Sequence, residues 1–360
     1  MDKVNDPLDR FRRFARLRMR IVKRVGVASA LVALVAYVGY WNMPLLEIVH
    51  LPDVYARRSG DFSANVTGWM PRFLVRRASF RLNDGAPMPV GQGWPRDRPP
   101  DFTIELPTDR LRAGVNTLVI DVEGWLRPAE RLTRQFSYNP TPVRLPLTVD
   151  WSQAALDVQD GEWEKIEIDG ELRVRPKPGE EGYDRMLVAT GAFPGDRRIE
   201  TEVTFRHHTI GRFHKGAREY GFGVLSLWGG HPDDSSHRPR RGWSFALSWY
   251  WSKPGGMGNE ISYRYGDESP RWQGSYRDFE LEPDVPYSVL IEVRRLEDDQ
   301  GVGYFEQRTK WWKRGTPEPQ RWMVLDDRSA VELPDGEYAI ALLSFNAQVE
   351  FGPLEVSPLK

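Results

Sequence analysis

Beyond residue 46 no stretch spaces its apolar residues as a helix would, whereas alternation with a period of two recurs almost to the end of the chain. In residues 198–205, Ile199, Thr201, Val203 and Phe205 alternate with Glu200, Glu202 and Thr204, giving one face to bury and one to wet. The same period runs through ASFRL at 78–82, DFTIEL at 101–106, TLVIDV at 117–122 and IEIDGELRV at 166–174. Asn83-Asp84-Gly85 and Asp169-Gly170 interrupt two of these runs with residues that tolerate the left-handed backbone of a tight hairpin. A segment so patterned buries its apolar faces by stacking sheet on sheet, so the expected fold class is an all-β ectodomain made of β-sandwiches.

What precedes residue 47 follows a different rule. Residues 25–46 read VGVASALVALVAYVGYWNMPLL without a charge, long enough as a helix to cross a bilayer at about 1.5 Å per residue. Tyr37, Tyr40 and Trp41 gather at the far end, where amphipathic rings favour the headgroup layer. Residues 1–24 carry nine basic and three acidic side chains, a balance of +6. The chain totals −1, which leaves −7 for the rest. The basic flank places residues 1–24 in the cytoplasm and exports the remainder. The long basic region and the lack of a small-residue cleavage site favour an uncleaved anchor over a signal peptide. A mildly acidic exported part argues against nucleic-acid binding, which needs a basic face. With no Cys in 360 residues, disulfides, thiolate zinc sites and thiol nucleophiles are all excluded. The Asn65-Val66-Thr67 sequon is short enough to occur by chance, and a disulfide-free exported chain suits a bacterial periplasm.

Residues 47–146 hold several short strands separated by turns, which predicts a small β-sandwich. Pro140, Pro142 and Pro146 then mark a stiff linker and a boundary. The run LNDG, DFTIELP and LRAGVNTLVIDV resembles immunoglobulin-like modules of bacterial envelope proteins, without their Cys…Trp…Cys signature. That resemblance implies a spacer between the membrane and the next domain. From residue 147 to 360 the strands lengthen, and ten to twelve of them are expected in two sheets. WEKIEIDGELRVRP, RRIETEVTF, GVGYFEQRTKWWKRGTPEPQRW and AQVEFGPLEVSP together resemble concanavalin A-like lectin and glucanase domains, nearest the laminin-G-like branch. The resemblance implies a jelly-roll sandwich that binds carbohydrate on one sheet or its rim loops. Some such domains are glycoside hydrolases or polysaccharide lyases, and fold alone does not decide between them. The expected function is therefore a lectin-like envelope protein, the alternatives being a tethered hydrolase or lyase, or a structural protein without a small ligand.

The candidate ligand-binding residues cluster around residues 220–251. Trp228, Trp243, Trp249 and Trp251 fall within it, and flat indoles stack on the apolar faces of sugar rings. Trp243, Trp249 and Trp251 share a face by period two, which is either a sugar platform or a packed core face. Trp272 is a further candidate, and in the adjacent pair Trp311 and Trp312 one ring must point in and the other out. His231 and Arg241 flank the intervening loop, and arginine there would suit an acidic sugar. Asp233 and Asp234 are the residues a calcium ion would use, but they supply only part of the about six to eight oxygens it takes, so no cofactor is expected. His207 and His208 are adjacent on a strand and point apart, which speaks against a shared zinc. Glu167-Ile168-Asp169-Gly170-Glu171 resembles the Glu-x-Asp-x-Glu pattern of laminarinase-type hydrolases, where alternate carboxylates on one strand share a cleft. Asp169-Gly170 opposes that reading, because a hairpin there puts Glu167 and Glu171 on different strands.

Overall fold

A computed structural model describes residues 46–359 except 60–61, 72, 91–100, 180–181, 183, 210–218, 232–244, 254–255, 265–270, 278, 298, 300, 302 and 327–335, and before them residues 18, 24–25, 28–32, 34–35 and 37–45. Residues Met1–Leu45 and Leu46–Lys360 separate as two compact units. In the first, the described residues from 24 to 42 are helical. Leu31, Val32, Leu34, Val35 and Val38 are exposed around the helix, and Trp41 packs on Tyr37 and Tyr40 at 6.0 and 5.7 Å. Among the described residues no helix is long and apolar enough to cross a membrane.

Among the described residues of the second unit the regular structure is strand, apart from one short helical turn at Thr108–Arg110. Its first part contains β1 (Glu47–His50), β2 (Val54–Tyr55), β3 (Ala64–Trp69), β4 (Val75–Leu82), β5 (Met88–Pro89), β6 (Asp101–Leu106), β7 (Gly114–Gly124) and β8 (Glu130–Tyr138). They form a three-stranded sheet in the order β1-β3-β6 and a five-stranded sheet in the order β2-β8-β7-β4-β5. The predicted turn after Leu82 is present, with Asn83 at φ 53°. Asn65 is buried and donates to the Gln159 carbonyl at 3.2 Å, so the sequon offers no acceptor surface.

The larger part contains β9 (Leu147–Val149), β10 (Asp157–Asp160), β11 (Trp163–Ile168), β12 (Glu171–Pro176), β13 (Arg185–Val188), β14 (Arg197–His208), β15 (Tyr220–Trp228), β16 (Phe245–Lys253), β17 (Gly256–Arg264), β18 (Arg271–Arg277), β19 (Pro286–Glu297), β20 (Gly303–Lys313), β21 (Val324–Asp326), β22 (Ala339–Phe345), β23 (Ala347–Phe351) and β24 (Leu354–Ser357). One sheet runs β10-β13-β22-β15-β16-β17-β18. The other runs β11-β12-β23-β14-β19-β20-β21, with β24 pairing β14 and β9. The expectation of ten to twelve strands was too low. The extra strands are pieces of three or four residues, such as β9, β10, β13, β21 and β24, too short to display a period.

The two large sheets bury a common core. Phe222, Val224, Tyr250, Ile261 and Leu342 come from the seven-stranded sheet, and Ile199, Val203, Val289, Ile291, Trp311 and Val349 from the nine-stranded one. Trp151 closes one edge and donates its indole N–H to the Gly352 carbonyl at 2.7 Å. The outer face of the nine-stranded sheet is a lattice of ion pairs. Arg173 joins Glu171 and Glu202, and Arg206 grips Glu350 through two nitrogens at 2.7 Å. This is the wet face that the alternation in 198–205 predicts.

The small sandwich is fastened to the large one. Arg58 pairs with Asp157, and Arg57 pairs with Glu337. The Arg57 carbonyl accepts from Ala192 N–H at 2.9 Å, and Phe62 packs edge-on to Trp228 at 6.1 Å. The proline-rich segment, expected as a stiff extended linker, lies instead along the large sandwich, where Val143 and Leu145 pack on its core. His50 accepts a hydrogen bond from the Trp163 N–H at 3.2 Å across this junction. Burial lowers its pKa from 6.5 to about 4, against the opposing pull of Glu162. Between those values the unfolded chain takes up a proton that the folded chain refuses. Stability should therefore fall as pH drops from about 6.5 to 4, by about 2 kcal/mol once the partial exposure of His50 is allowed for. Urea unfolding across that window checks this, and His50→Gln should flatten the profile.

Candidate functional site

Strand β15 alternates Phe222 and Val224, which enter the core, with Gly221 and Gly223, which lie on the opposite face. In β16, Ala246 and Tyr250 enter the core while Leu247, Trp249 and Trp251 take the opposite face. Register sets Gly221 against Trp251 and Gly223 against Trp249. On the other side of β15, Gly221 faces Phe345 and Gly223 faces Leu343. The missing side chains of β15 let the indoles lie down across the strand. A Cβ at Gly221 would sit 2.6 Å from Trp251 Cε3 and 2.9 Å from Trp249 Cε3. One at Gly223 would sit 2.5 Å from the Trp249 Cα.

The rings form a continuous layer. Trp249 and Trp251 have centroids 4.2 Å apart at 36°, and Trp251 stacks on Phe345 at 5.5 Å and 25°. Trp249 and Phe345 are each 7% exposed, and Trp251 is half-buried, so Trp251 carries the open part of the layer. The indole N–H groups of Trp249 and Trp251 have no hydrogen-bond acceptor among the described residues. Glu260 lies opposite Trp249 on β17 and is buried. Gly258 lies opposite Trp251 and leaves the neighbouring position without a side chain. Trp249 belongs to a buried cluster with Phe62, Trp228, Leu247 and Leu343, so the partly open ring of the layer is Trp251, whose flat face suits the apolar face of a sugar ring.

The other residues singled out in the sequence go elsewhere. Trp228 is fully buried between Phe62 and His231, which meets it edge-on at 5.1 Å and is itself 4% exposed. Both pack the junction of the two sandwiches and present no surface to a ligand. Trp272 lies on β18 opposite Ser262. Arg241, Trp243, Asp233 and Asp234 fall outside the described residues. Among the described residues no three His, Asp or Glu side chains gather as a metal site. Trp311 enters the core and Trp312 does not, as adjacent positions on a strand must.

Glu167 and Glu171 flank the hairpin that Asp169-Gly170 predicts, with Asp169 at φ 53° and Gly170 at φ 81°. Glu167 pairs with Leu172 and Ile168 with Glu171, so the two carboxylates point to opposite faces of the sheet. Glu171 is tied to Arg173. A groove of about 650 Å³ does open beside Glu167, but its Glu350 is held by Arg206 and leaves no pair of free acids.

Phe345 and the two glycines are what the sequence reading missed. Their signal was present: Gly-x-Gly in 221–223 matches Trp-x-Trp in 249–251 at the same period.

No family model matches the chain, and no curated protein matches it. Several solved structures resemble it. A variant of the alginate lyase Aly36B in complex with alginate trisaccharide is 11% identical, with 60% of this chain and 100% of that one covered and a TM-score of 0.37. The marine PL-14 alginate lyase from Aplysia kurodai is 11% identical over 57% of this chain and 87% of its own, with a TM-score of 0.32. An engineered GH43 glycoside hydrolase with endo-xylanase and exo-arabinofuranosidase activity is 10% identical over 82% of this chain and 62% of its own, with a TM-score of 0.33. The substrates named belong to those proteins, and this chain's own residues bear its functional reading.

Proposed function

We propose that this is a membrane-anchored, lectin-like protein of the cell envelope whose ligand is a glycan, held with a sugar ring against Trp251 beside Trp249 and Phe345. The observation that carries this reading is the half-buried Trp251 ring, which stacks on Trp249 and Phe345 at the margin of the buried cluster on the sheet's second face. In this reading residues 25–46 form the anchor, with the N-terminus cytoplasmic and the bulk periplasmic. The apolar side chains exposed around the helix there support it. The small sandwich is an immunoglobulin-like module and the large one a concanavalin A-like domain. A role accessory to polysaccharide assembly or export suits that placement.

Binding is favoured over hydrolysis by the position of the acids. The strands of the seven-stranded sheet carry only Asp157, Asp160 and Glu260. Asp157 and Asp160 stand on β10 and Glu260 on β17, five strand spacings away. At about 4.8 Å per spacing that is roughly 24 Å, far beyond the ~5–9.5 Å that a hydrolytic pair requires.

A glycan array probed with residues 47–360 and with the Trp251→Ala form tests the proposal. Trp251 is half-buried at the layer's open side, so the variant should fold. Its affinity for the best oligosaccharide should drop about tenfold, some 1.4 kcal/mol. Equal signals from both proteins would sink the reading.

A further inference from the structure

The three most exposed large apolar side chains among the described residues of the second unit are Phe73, Trp125 and Leu126, at 73%, 63% and 78%. They belong to two loops at one end of the five-stranded sheet. The loop before β4 holds Phe73, and the loop after β7 holds Trp125 and Leu126. The loops are joined where the Trp125 N–H donates to the Leu74 carbonyl at 3.1 Å, next to the pairing of Val75 with Gly124. Leu74 is buried and its N–H bonds the Pro71 carbonyl at 2.9 Å, which pins the first loop from beneath. Arg127 folds back on Glu130 at 2.6 Å and steadies the second. The tip is therefore a held structure that presents three apolar groups outward.

Arg76 and Arg77 stand exposed on β4 just behind the tip, and Pro128 and Ala129 extend its apolar surface. The nearby acids are Glu123, which faces Arg77 across the β4–β7 ladder, and Glu130, already engaged by Arg127. An indole, a phenyl ring and a leucine on two hydrogen-bonded loops, with guanidinium groups set behind them, match the layering of a bilayer interface. Rings and aliphatic groups enter the acyl boundary, and cations sit among anionic headgroups. We infer that the Phe73–Trp125–Leu126 tip of the small sandwich docks on an anionic membrane surface. This rests on the proposed anchoring, which brings the domain to a bilayer, and it makes the small sandwich a second point of membrane contact.

The chain contains no Cys, so a single introduced thiol takes a fluorophore uniquely. The full chain is reconstituted with vesicles of phosphatidylcholine mixed with phosphatidylglycerol, or of phosphatidylcholine alone. An environment-sensitive dye is carried by Leu126→Cys in one preparation and by Val115→Cys in another. Val115 is equally outward-facing, at 62% exposure, but lies at the other end of β7, roughly 30 Å away. The expected result is a blue-shifted emission at position 126 that spin-labelled lipid quenches, stronger in the anionic vesicles, with position 115 unchanged. Similar responses at both positions would overturn the proposal. So would a shift at 126 that needs no vesicles and grows with protein concentration, since the tip would then meet another protein copy. Cosedimentation reads the anchor separately. A chain that sediments with vesicles while position 126 stays silent defeats the tip alone, and a chain that does not sediment defeats both.

Discussion

Replacing Arg58 with alanine is expected to cost about 3–5 kcal/mol and to loosen the small sandwich from the large one. The Arg58 side chain is fully buried, spread over the Phe62 ring at 3.9 Å and the Tyr55 ring at 5.1 Å, and it meets Asp157 on β10. Burial raises the pKa of Asp157, and the charge and hydrogen bond of Arg58 oppose that rise. Without the guanidinium the folded state keeps a buried carboxylate that has lost its partner cation. The sign of the pH dependence follows. A carboxyl whose folded pKa lies above its unfolded value binds its proton more tightly in the folded state. The deficit of Arg58→Ala should thus be largest at neutral pH and shrink as pH falls toward that raised pKa. Adding Asp157→Asn should return part of the loss at neutral pH, because it removes the stranded charge. Urea unfolding of the single and double variants at neutral and mildly acidic pH checks all three statements.

A second large effect is expected at Gly223. An added methyl would strike the Ser248 carbonyl oxygen and the Trp249 backbone, neither of which can swing aside. Gly223→Ala should therefore push β16 off β15 and lower stability by about 3 kcal/mol, the cost of overpacking a filled interior. Because Trp249 lies over this position, the same change should tilt the aromatic layer and weaken glycan binding. Gly256 provides the control. Among the described residues, chain neighbours aside, no atom lies within 4 Å of a Cβ built there, so Gly256→Ala should stay within about 0.5 kcal/mol of the parent. Thermal unfolding of the two variants side by side separates a steric effect from a general intolerance of alanine.

Strand position was readable wherever alternation was unbroken, as in residues 198–205, and wherever a turn residue fixed the register, as at Asp169-Gly170. Short edge strands gave no period, and β17 is too glycine-rich and polar to show one. Period two put Trp249 and Trp251 on one face but left open whether that face was core or surface. Phe222, Val224 and Tyr250, of opposite parity, fill the sandwich core, and the face of Trp249 packs a second buried cluster with Phe62 and Leu343, with Trp251 at its partly open margin. No local pattern marks Phe345 as a neighbour of Trp251, because β22 reaches β15 from more than a hundred residues away. Trp228 misled for a related reason. The bulge between Leu225 and Trp228 brings it to the same face as Leu247 and Trp249, but Phe62 from the small sandwich covers it there. The docking of one sandwich on the other is a tertiary fact of Arg58, Phe62 and Asp157, spread over about a hundred residues with no repeating spacing.

Chemical footprinting of the tryptophans tests the central claim most directly. The protein is oxidised with N-bromosuccinimide in the presence and absence of the best oligosaccharide from the array, and modification of each tryptophan is read by peptide mass spectrometry. Trp251 should be protected by the sugar, while Trp125, 63% exposed on the small sandwich, should react at the same rate with and without it. Equal oxidation of Trp251 with and without saturating oligosaccharide would contradict the placement of a glycan on this aromatic layer.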